Sequence, residues 1–222
     1  MKDLNQNQVL FTDISTNASL LTPDKIDLLN ELKLKMIHVS LDGTKSAHES
    51  VRGQETYDKT MQGLNLLRKS TNRIRIGSVI HRNNENNLEE LVNKSIEVAA
   101  DEIIFSIMEP MPGQDMTLVK TRPNPSIIEE IELLKEKYKN EITINYNFGN
   151  QPTYIQECPA GDKFLYINNY GNISPCPWVY ENNRNCISKI SLRNHSLEDI
   201  KEDERLKQFL LVKSKGQCYG KI

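Results

Sequence analysis

Strand-like and helix-like hydrophobic patterns alternate along the first 150 residues of the chain. Short apolar runs typical of strands are separated by segments with apolar residues at helical spacing, such as Leu28, Leu29 and Leu32. The strand-like runs are residues 9–14, 36–41, 74–80, 102–107 and 142–146. Because strands and helices alternate, the strands are expected to be parallel and joined by right-handed crossovers. The sequence therefore predicts an α/β fold.

In such folds, ligands bind at the carboxyl ends of the strands. The segments that follow the predicted strands, residues 15–17, 40–43, 81–84 and 108–111, are therefore expected to share one edge of the sheet. The loop-like residues 147–152 form the natural boundary of this domain. We predict two domains, residues 1–150 and residues 151–222.

All four cysteines lie in the second predicted domain. Cys158 is followed by twelve residues, Gly171, four residues and Cys176. The segment between the two thiols has two short strand-like runs joined by Asn and Gly residues, which is typical of a hairpin. A hairpin brings its ends together, so the two sulfurs form either a disulfide or half of a metal site.

Composition favours a metal site and excludes other classes of function. The chain has a formal net charge of -2, and 26% of its residues are charged. It therefore offers no basic face for nucleic acid or a membrane surface. The N-terminal residues have no apolar signal-peptide core. We therefore expect a cytoplasmic protein, in which clustered thiols bind metal more often than they form disulfides.

Several motifs, in order, resemble those of the radical SAM enzymes. They are STNASLLT at residues 15–22, HVSLDG at residues 38–43, and H-x3-RG from His48 to Gly53. The stretch from Cys158 to Cys176 resembles the first cysteines of the SPASM and twitch extensions, which hold auxiliary [4Fe–4S] clusters. SLEDI at residues 196–200 and GQC at residues 216–218 resemble a later passage of the same extensions.

The resemblance implies a partial (β/α) TIM-like barrel, followed by a small hairpin and helix extension that binds a cluster. It also implies S-adenosylmethionine (SAM) as a cofactor and Ser40 as a residue that contacts it. A hydroxyl from Ser40 and a carboxylate from Asp42 suit the ribose hydroxyls of SAM. The guanidinium fork of Arg52 suits the SAM carboxylate. His48 belongs to a loop motif and is expected to hold the conformation of that loop.

The cysteines are predicted to hold the auxiliary cluster. Thiolates are the usual ligands of iron–sulfur clusters, and Cys158, Cys176 and Cys218 match the resemblance. Cys186 is either the fourth ligand or a buried structural thiol. A structural zinc ion is the main competing interpretation, but zinc sites usually have tighter cysteine pairs. Four unligated cysteines in a small β appendage are the remaining alternative.

One departure from the family pattern is large. The sequence contains no C-x3-C-x2-C triplet, whose thiolates hold the SAM-binding cluster of the family. We therefore expect the chain to be a fragment, truncated at both ends and inactive alone.

The expected reaction of the whole enzyme is radical abstraction of hydrogen from a peptide, a protein or a small molecule, with an external electron donor. The alternatives are an iron–sulfur module that works with a separate catalytic chain, and a zinc-stabilised α/β binding protein.

Overall fold

The computed structural model describes residues 13–32, 34–107, 125–148, 160–161, 164–176, 191 and 193–213. The chain forms two compact units, Met1–Gly149 and Asn150–Ile222. Among the described residues, no helix is both long and apolar enough to cross a membrane.

The first unit contains a five-stranded sheet with helices between the strands. In chain order its elements are β1 Asp13–Thr16, α1 Pro23–Glu31, β2 Met36–Ser40, α2 Lys45–Arg52, α3 Thr56–Leu67, β3 Ile74–Ile80, α4 Leu88–Glu97, β4 Glu102–Ile107, α5 Pro125–Lys137 and β5 Thr143–Asn147. The strands lie in the order β1-β2-β3-β4-β5, and each neighbouring pair is parallel. The predicted α/β fold with parallel strands is confirmed.

The two faces of the sheet differ sharply in polarity. Along β3, the residues Ile74, Ile76 and Ile80 are buried, whereas Arg75 and Gly77 between them are partly exposed. The buried face packs against the helices and forms one apolar core with them. The opposite face, which we call the open face, carries Asp13, Ser15, Met36, His38, Ser40, Arg75, Gly77, Val79, Glu102, Ile104, Ser106, Thr143, Asn145 and Asn147. Because side chains alternate along a strand, this set is fixed by the parallel register.

The turn between β1 and α1 packs directly against the middle of α3. Ala18 is buried and has a left-handed backbone with φ of 59°. A Cβ atom on Gly63 would lie 2.1 Å from the carbonyl oxygen of Ala18. The buried hydroxyl of Thr60 donates a 2.9 Å hydrogen bond to the carbonyl of Asn17. Only a glycine at position 63 allows the helix to approach the turn this closely.

The second unit contains a short hairpin and two helices. Its elements are β6 Tyr166–Ile167, β7 Ile173–Ser174, α6 Leu197–Lys201 and α7 Glu204–Lys213. The turn between the strands is closed by the Asn168 side chain, which accepts hydrogen bonds from two backbone N–H groups. Gly171 adopts a φ of +83°, which a glycine reaches without strain. The predicted hairpin is therefore present, and Ile173 packs with Ile200 and Leu206 beneath it.

Candidate functional site

Asp42 lies at the carboxyl end of β2, and both its carboxylate and its backbone are hydrogen-bonded within the protein. One carboxylate oxygen, Oδ1, accepts from the backbone N–H of Val79 at 2.8 Å. The other, Oδ2, accepts from Nε of Arg52 at 2.5 Å. The backbone N–H of Asp42 donates to Nδ1 of His48 at 3.2 Å, and its carbonyl accepts from Nδ2 of Asn84 at 3.1 Å. One residue thus joins the ends of β2 and β3 to helix α2.

Arg52 is the last residue of α2, and its guanidinium is held from one side only. Its Nε atom is bonded to the Asp42 carboxylate, which is 1% exposed, while the Arg52 side chain is 32% exposed. Among the described residues, neither Nη1 nor Nη2 of Arg52 has a hydrogen-bond partner. A guanidinium fixed through Nε still presents two parallel N–H donors, which suit a carboxylate or phosphate.

The segment that carries His48 and Arg52 is a helix and not the loop that its motif predicts. Thr44 caps the helix by accepting a hydrogen bond from the backbone N–H of Ala47 at 3.3 Å. Gly53, with φ of 93°, ends it. The helix has only two apolar residues, Ala47 and Val51, and it buries only Ala47 and His48. Its apolar stripe is therefore too short to be recognised from the sequence. The threonine before it and the glycine after it were the available signals.

Two fully buried histidines lie beside this arrangement. His48 accepts a hydrogen bond at Nδ1 from Asp42, and His81 accepts one at Nδ1 from the backbone N–H of Asn83 at 3.3 Å. Each imidazole therefore carries its proton on Nε2. Neither Nε2 atom has a partner within the described part of the chain. Burial lowers the pKa of both residues, against a smaller opposing effect of the Asp42 carboxylate. Both imidazoles are neutral at neutral pH.

Ser40 lies on the open face of the sheet, directly opposite Gly77 in the register of β2 and β3. It is half-buried, and its hydroxyl has no partner among the residues that the structure describes. A Cβ atom placed on Gly77 would have no neighbour within 4 Å. The open face therefore has a hollow beside Ser40, at the same end of the sheet as Asp42.

The open face also carries a row of polar side chains that the sequence motifs do not reveal. Nη1 of Arg75 donates to Nε2 of His38 at 3.3 Å, and Nη2 forms an ion pair with Glu102 at 2.6 Å. Asn145 donates to the other oxygen of Glu102 at 2.8 Å, and Asp13 lies 3.6 Å from His38. The row crosses all five strands. Its signal in the sequence was a charged residue at an alternate position of an otherwise apolar strand, as in IRIGSVI.

The predicted cluster ligands fall mostly outside the described residues. Cys158, Cys186 and Cys218 lie there, so their proposed roles stay predictions. Cys176 follows β7, is half-buried, and packs against Ala160 and Phe209. Within the described ranges, no group of three or more His, Cys, Asp or Glu side chains is placed to hold a metal ion.

Two protein families match the chain. The radical SAM superfamily matches residues 2–95, and the iron–sulfur cluster-binding SPASM domain matches residues 158–220. The chain is a radical SAM protein with a SPASM domain. All four cysteines lie within the SPASM match, and the Ser40, Asp42 and Arg52 edge lies within the radical SAM match.

Three relatives show how this radical SAM protein compares in length. An uncharacterised protein of Methanocaldococcus jannaschii is 27% identical over 94% of the chain and 66% of the relative. The AdoMet-dependent heme synthase of Methanosarcina barkeri is 22% identical over 75% of the chain and 54% of the relative. The PqqA peptide cyclase of Bradyrhizobium diazoefficiens is 22% identical over 75% of the chain and 46% of the relative. The chain thus spans about half to two thirds of the length of these proteins.

The fold is shared with SuiB of Streptococcus suis. The SAM-bound crystal structure of SuiB matches with a TM-score of 0.70 at 18% identity, over 90% of this chain and 49% of SuiB. SuiB has also been solved with its precursor peptide SuiA, and that structure has a TM-score of 0.69. The likeness confirms the predicted partial barrel with its small extension. The two families identify SAM and [4Fe–4S] clusters as the cofactors of this radical SAM protein.

The residues present fit both cofactors. The edge formed by β2 and β3 suits a ligand that has both a carboxylate and hydroxyls. It offers the two available Nη groups of Arg52, the available hydroxyl of Ser40 and a hollow over Gly77. In the SPASM domain, the donor set is four thiols, which is the usual complement for a [4Fe–4S] cluster.

Proposed function

We propose that this chain is part of a radical SAM enzyme, which binds SAM at the carboxyl ends of β2 and β3. The observation that carries the proposal is the guanidinium of Arg52, which Asp42 holds through Nε while both Nη groups stay available. In this assignment, Arg52 receives the SAM carboxylate as a bidentate partner, and the Ser40 hydroxyl bonds to SAM. Asp42 belongs to the same site.

The cofactors supply the reaction, and the protein supplies the geometry. When bound, SAM and a reduced [4Fe–4S] cluster would supply the radical chemistry for hydrogen abstraction, and Arg52 and Ser40 would hold the SAM. Arg52 fixes the amino acid end of SAM, so that the rest of the molecule is held in one orientation on the open face. The apolar layer beneath the sheet excludes water from one side of this edge.

The SPASM domain is proposed to hold an auxiliary [4Fe–4S] cluster through Cys158, Cys176 and Cys218. Cys186 is proposed as the fourth ligand, because it is the remaining thiol within the region that matches the SPASM family. Such a cluster would accept an electron from the substrate during an oxidative modification, and an external donor would reduce the SAM cluster.

The substrate is proposed to be a peptide or a protein side chain. Two proteins that resemble this chain are named for peptides, namely the PqqA peptide cyclase and SuiB with its precursor peptide. The AdoMet-dependent heme synthase is named for a small molecule, which supports the alternative of a small-molecule substrate.

A second candidate function is an iron–sulfur module that works with a separate catalytic chain. It rests on the separate match of residues 158–220 to the iron–sulfur cluster-binding SPASM domain. In this case the chain would gain SAM binding only when mixed with a protein that supplies the C-x3-C-x2-C triplet.

Anaerobic reconstitution tests the proposal. The purified chain is treated with iron and sulfide, desalted, and assayed for bound iron, sulfide and zinc, and for SAM binding by equilibrium dialysis. We expect about four irons and four sulfides per chain, consistent with one [4Fe–4S] cluster, and their loss in Cys176→Ala. Weaker SAM binding is expected in Arg52→Gln, with Lys45→Gln on the same helix as the matched control. A zinc-containing protein without iron or sulfide would contradict the cluster assignment.

A further inference from the structure

We propose that Asp42 is a positioning residue, which holds the Arg52 guanidinium for the SAM carboxylate and does not itself contact SAM. The proposal rests on the SAM site proposed above. It differs from the expectation drawn from the sequence, in which the Asp42 carboxylate contacts the ribose.

The first argument is the burial of the Asp42 carboxylate. Its side chain is 1% exposed, so a bound ligand has no surface of this carboxylate to touch. Each oxygen already accepts a hydrogen bond within the protein, one from Val79 and one from Arg52. Both bonds would have to be given up before the carboxylate could turn toward a ribose.

The second argument is the rigidity of the anchor. The backbone of Asp42 is fixed on both sides, because its N–H donates to His48 and its carbonyl accepts from Asn84. The Asn84 amide also donates to the carbonyl of Val79, and its oxygen accepts from the backbone N–H of His81. The carboxylate is therefore held by β2, α2 and the turn after β3 together.

The third argument is the geometry that the anchor leaves to Arg52. An arginine side chain has high rotamer entropy, and a guanidinium held in place loses less of it when a ligand binds. Bonding through Nε fixes the plane of the guanidinium and leaves the Nη1 and Nη2 edge for a carboxylate. Asp42 therefore pre-organises the guanidinium of Arg52. The preference of the protein for SAM over an analogue without the carboxylate should depend on Asp42.

The test compares two ligands that differ only in the group that Arg52 binds. SAM and decarboxylated SAM share the adenine, ribose and sulfonium, but the second lacks the carboxylate. Dissociation constants are measured by equilibrium dialysis on the anaerobically reconstituted protein. The native chain is expected to prefer SAM by about 10- to 100-fold, as for a hydrogen bond to a charged group. In Asp42→Asn, the preference is expected to fall close to 1, with the affinity for decarboxylated SAM unchanged.

Asp58→Asn is the matched control, because it makes the same chemical change at the exposed Lys45–Asp58 ion pair between α2 and α3. It should leave both affinities unchanged. If Asp42→Asn weakens both ligands equally and preserves the preference, Asp42 contacts the shared part of SAM and the positioning role is wrong. In an Arg52→Gln background, Asp42→Asn should have no further effect on the preference, and an additive effect would also overturn the role.

Arg52→Lys covers the case in which Asp42→Asn does not fold. A lysine ammonium pairs with Asp42 or with the ligand, but cannot do both with the geometry of a guanidinium. In Arg52→Lys we expect the preference for SAM over decarboxylated SAM to be reduced by about tenfold. If this variant keeps the full preference, the role of Asp42 in holding the guanidinium is refuted. If the native chain does not prefer SAM, or if Arg52→Gln leaves the preference intact, the proposed SAM site itself is wrong. This inference then fails with it.

Discussion

The contact between Gly63 and the Ala18 turn gives the sharpest test of how the first unit packs. In an ordinary helix interior, Gly→Ala is favourable by roughly 0.5–1 kcal/mol because alanine loses less backbone entropy on folding. At position 63 of α3, the added Cβ would lie 2.1 Å from the carbonyl oxygen of Ala18 and 2.8 Å from its carbonyl carbon. Both are backbone atoms, so no side-chain rotation can relieve the clash.

The size of the effect follows from what must move. Separating the helix from the turn is an overpacking change, which costs about 1–3 kcal/mol. The same movement lengthens the buried hydrogen bond from Thr60 to the Asn17 carbonyl, whose loss costs about 1–3 kcal/mol. After the helix-propensity gain is subtracted, Gly63→Ala should lower the free energy of unfolding by about 1–5 kcal/mol.

Thermal and urea unfolding, followed by circular dichroism, measure this change. A loss of about 1–5 kcal/mol corresponds to a fall in Tm of roughly 2–20 °C for a unit of this size. Gly77→Ala is the control, because its Cβ meets no heavy atom within 4 Å, and its stability should change by less than about 1 kcal/mol. If Gly63→Ala is as stable as the native chain or more stable, the packing argument is refuted.

Three further predictions concern charge and capping. Burial lowers the pKa of His48 and His81, so below about pH 6.5 the unfolded chain binds more protons than the folded chain. The free energy of unfolding, measured in urea, should therefore fall from pH 7.5 to 5.5. A free energy that does not change with pH contradicts this. Glu102→Gln removes the charge that pairs with Arg75 and should lower the free energy of unfolding in urea by about 1–3 kcal/mol. Glu97→Gln, in the exposed pair with Lys94, should leave the free energy of unfolding unchanged. Ser196→Ala removes the capping box of α6 and should lower the stability of the second unit by about 1 kcal/mol, measured by limited proteolysis.

The sequence was sufficient for the strands and for the longer helices, because burial on one face leaves a periodic pattern. Strands β3 and β4 begin and end where the apolar runs predict, whereas β1 continues to Thr16, two residues beyond its predicted run. Helix α2 could not be found in this way, since its sequence KSAHESVR buries only an alanine and a histidine. Its ends were marked by Thr44 and Gly53, which also occur in ordinary loops.

The site was predictable as a location but not as a set of contacts. Strand order places Ser40 and Asp42 at the ligand edge, and the pattern of residue types indicates that they can bond to SAM. The sequence does not say that the Asp42 carboxylate is buried, nor that Arg52 bonds to it through Nε. Such pairings depend on how α2 packs against the end of β3, and no local pattern encodes that packing.

The polar row across the open face bears on how the strands find their alignment. A shift of one residue along any strand exchanges its two faces. For β3 or β4, such a shift would carry Arg75 or Glu102 into the apolar layer, with no partner there to offset the cost of burying a charge. A misaligned sheet is therefore destabilised twice, because apolar side chains are exposed to water and charged side chains are buried in the core. Both faces of the sheet thus favour the native alignment of the strands.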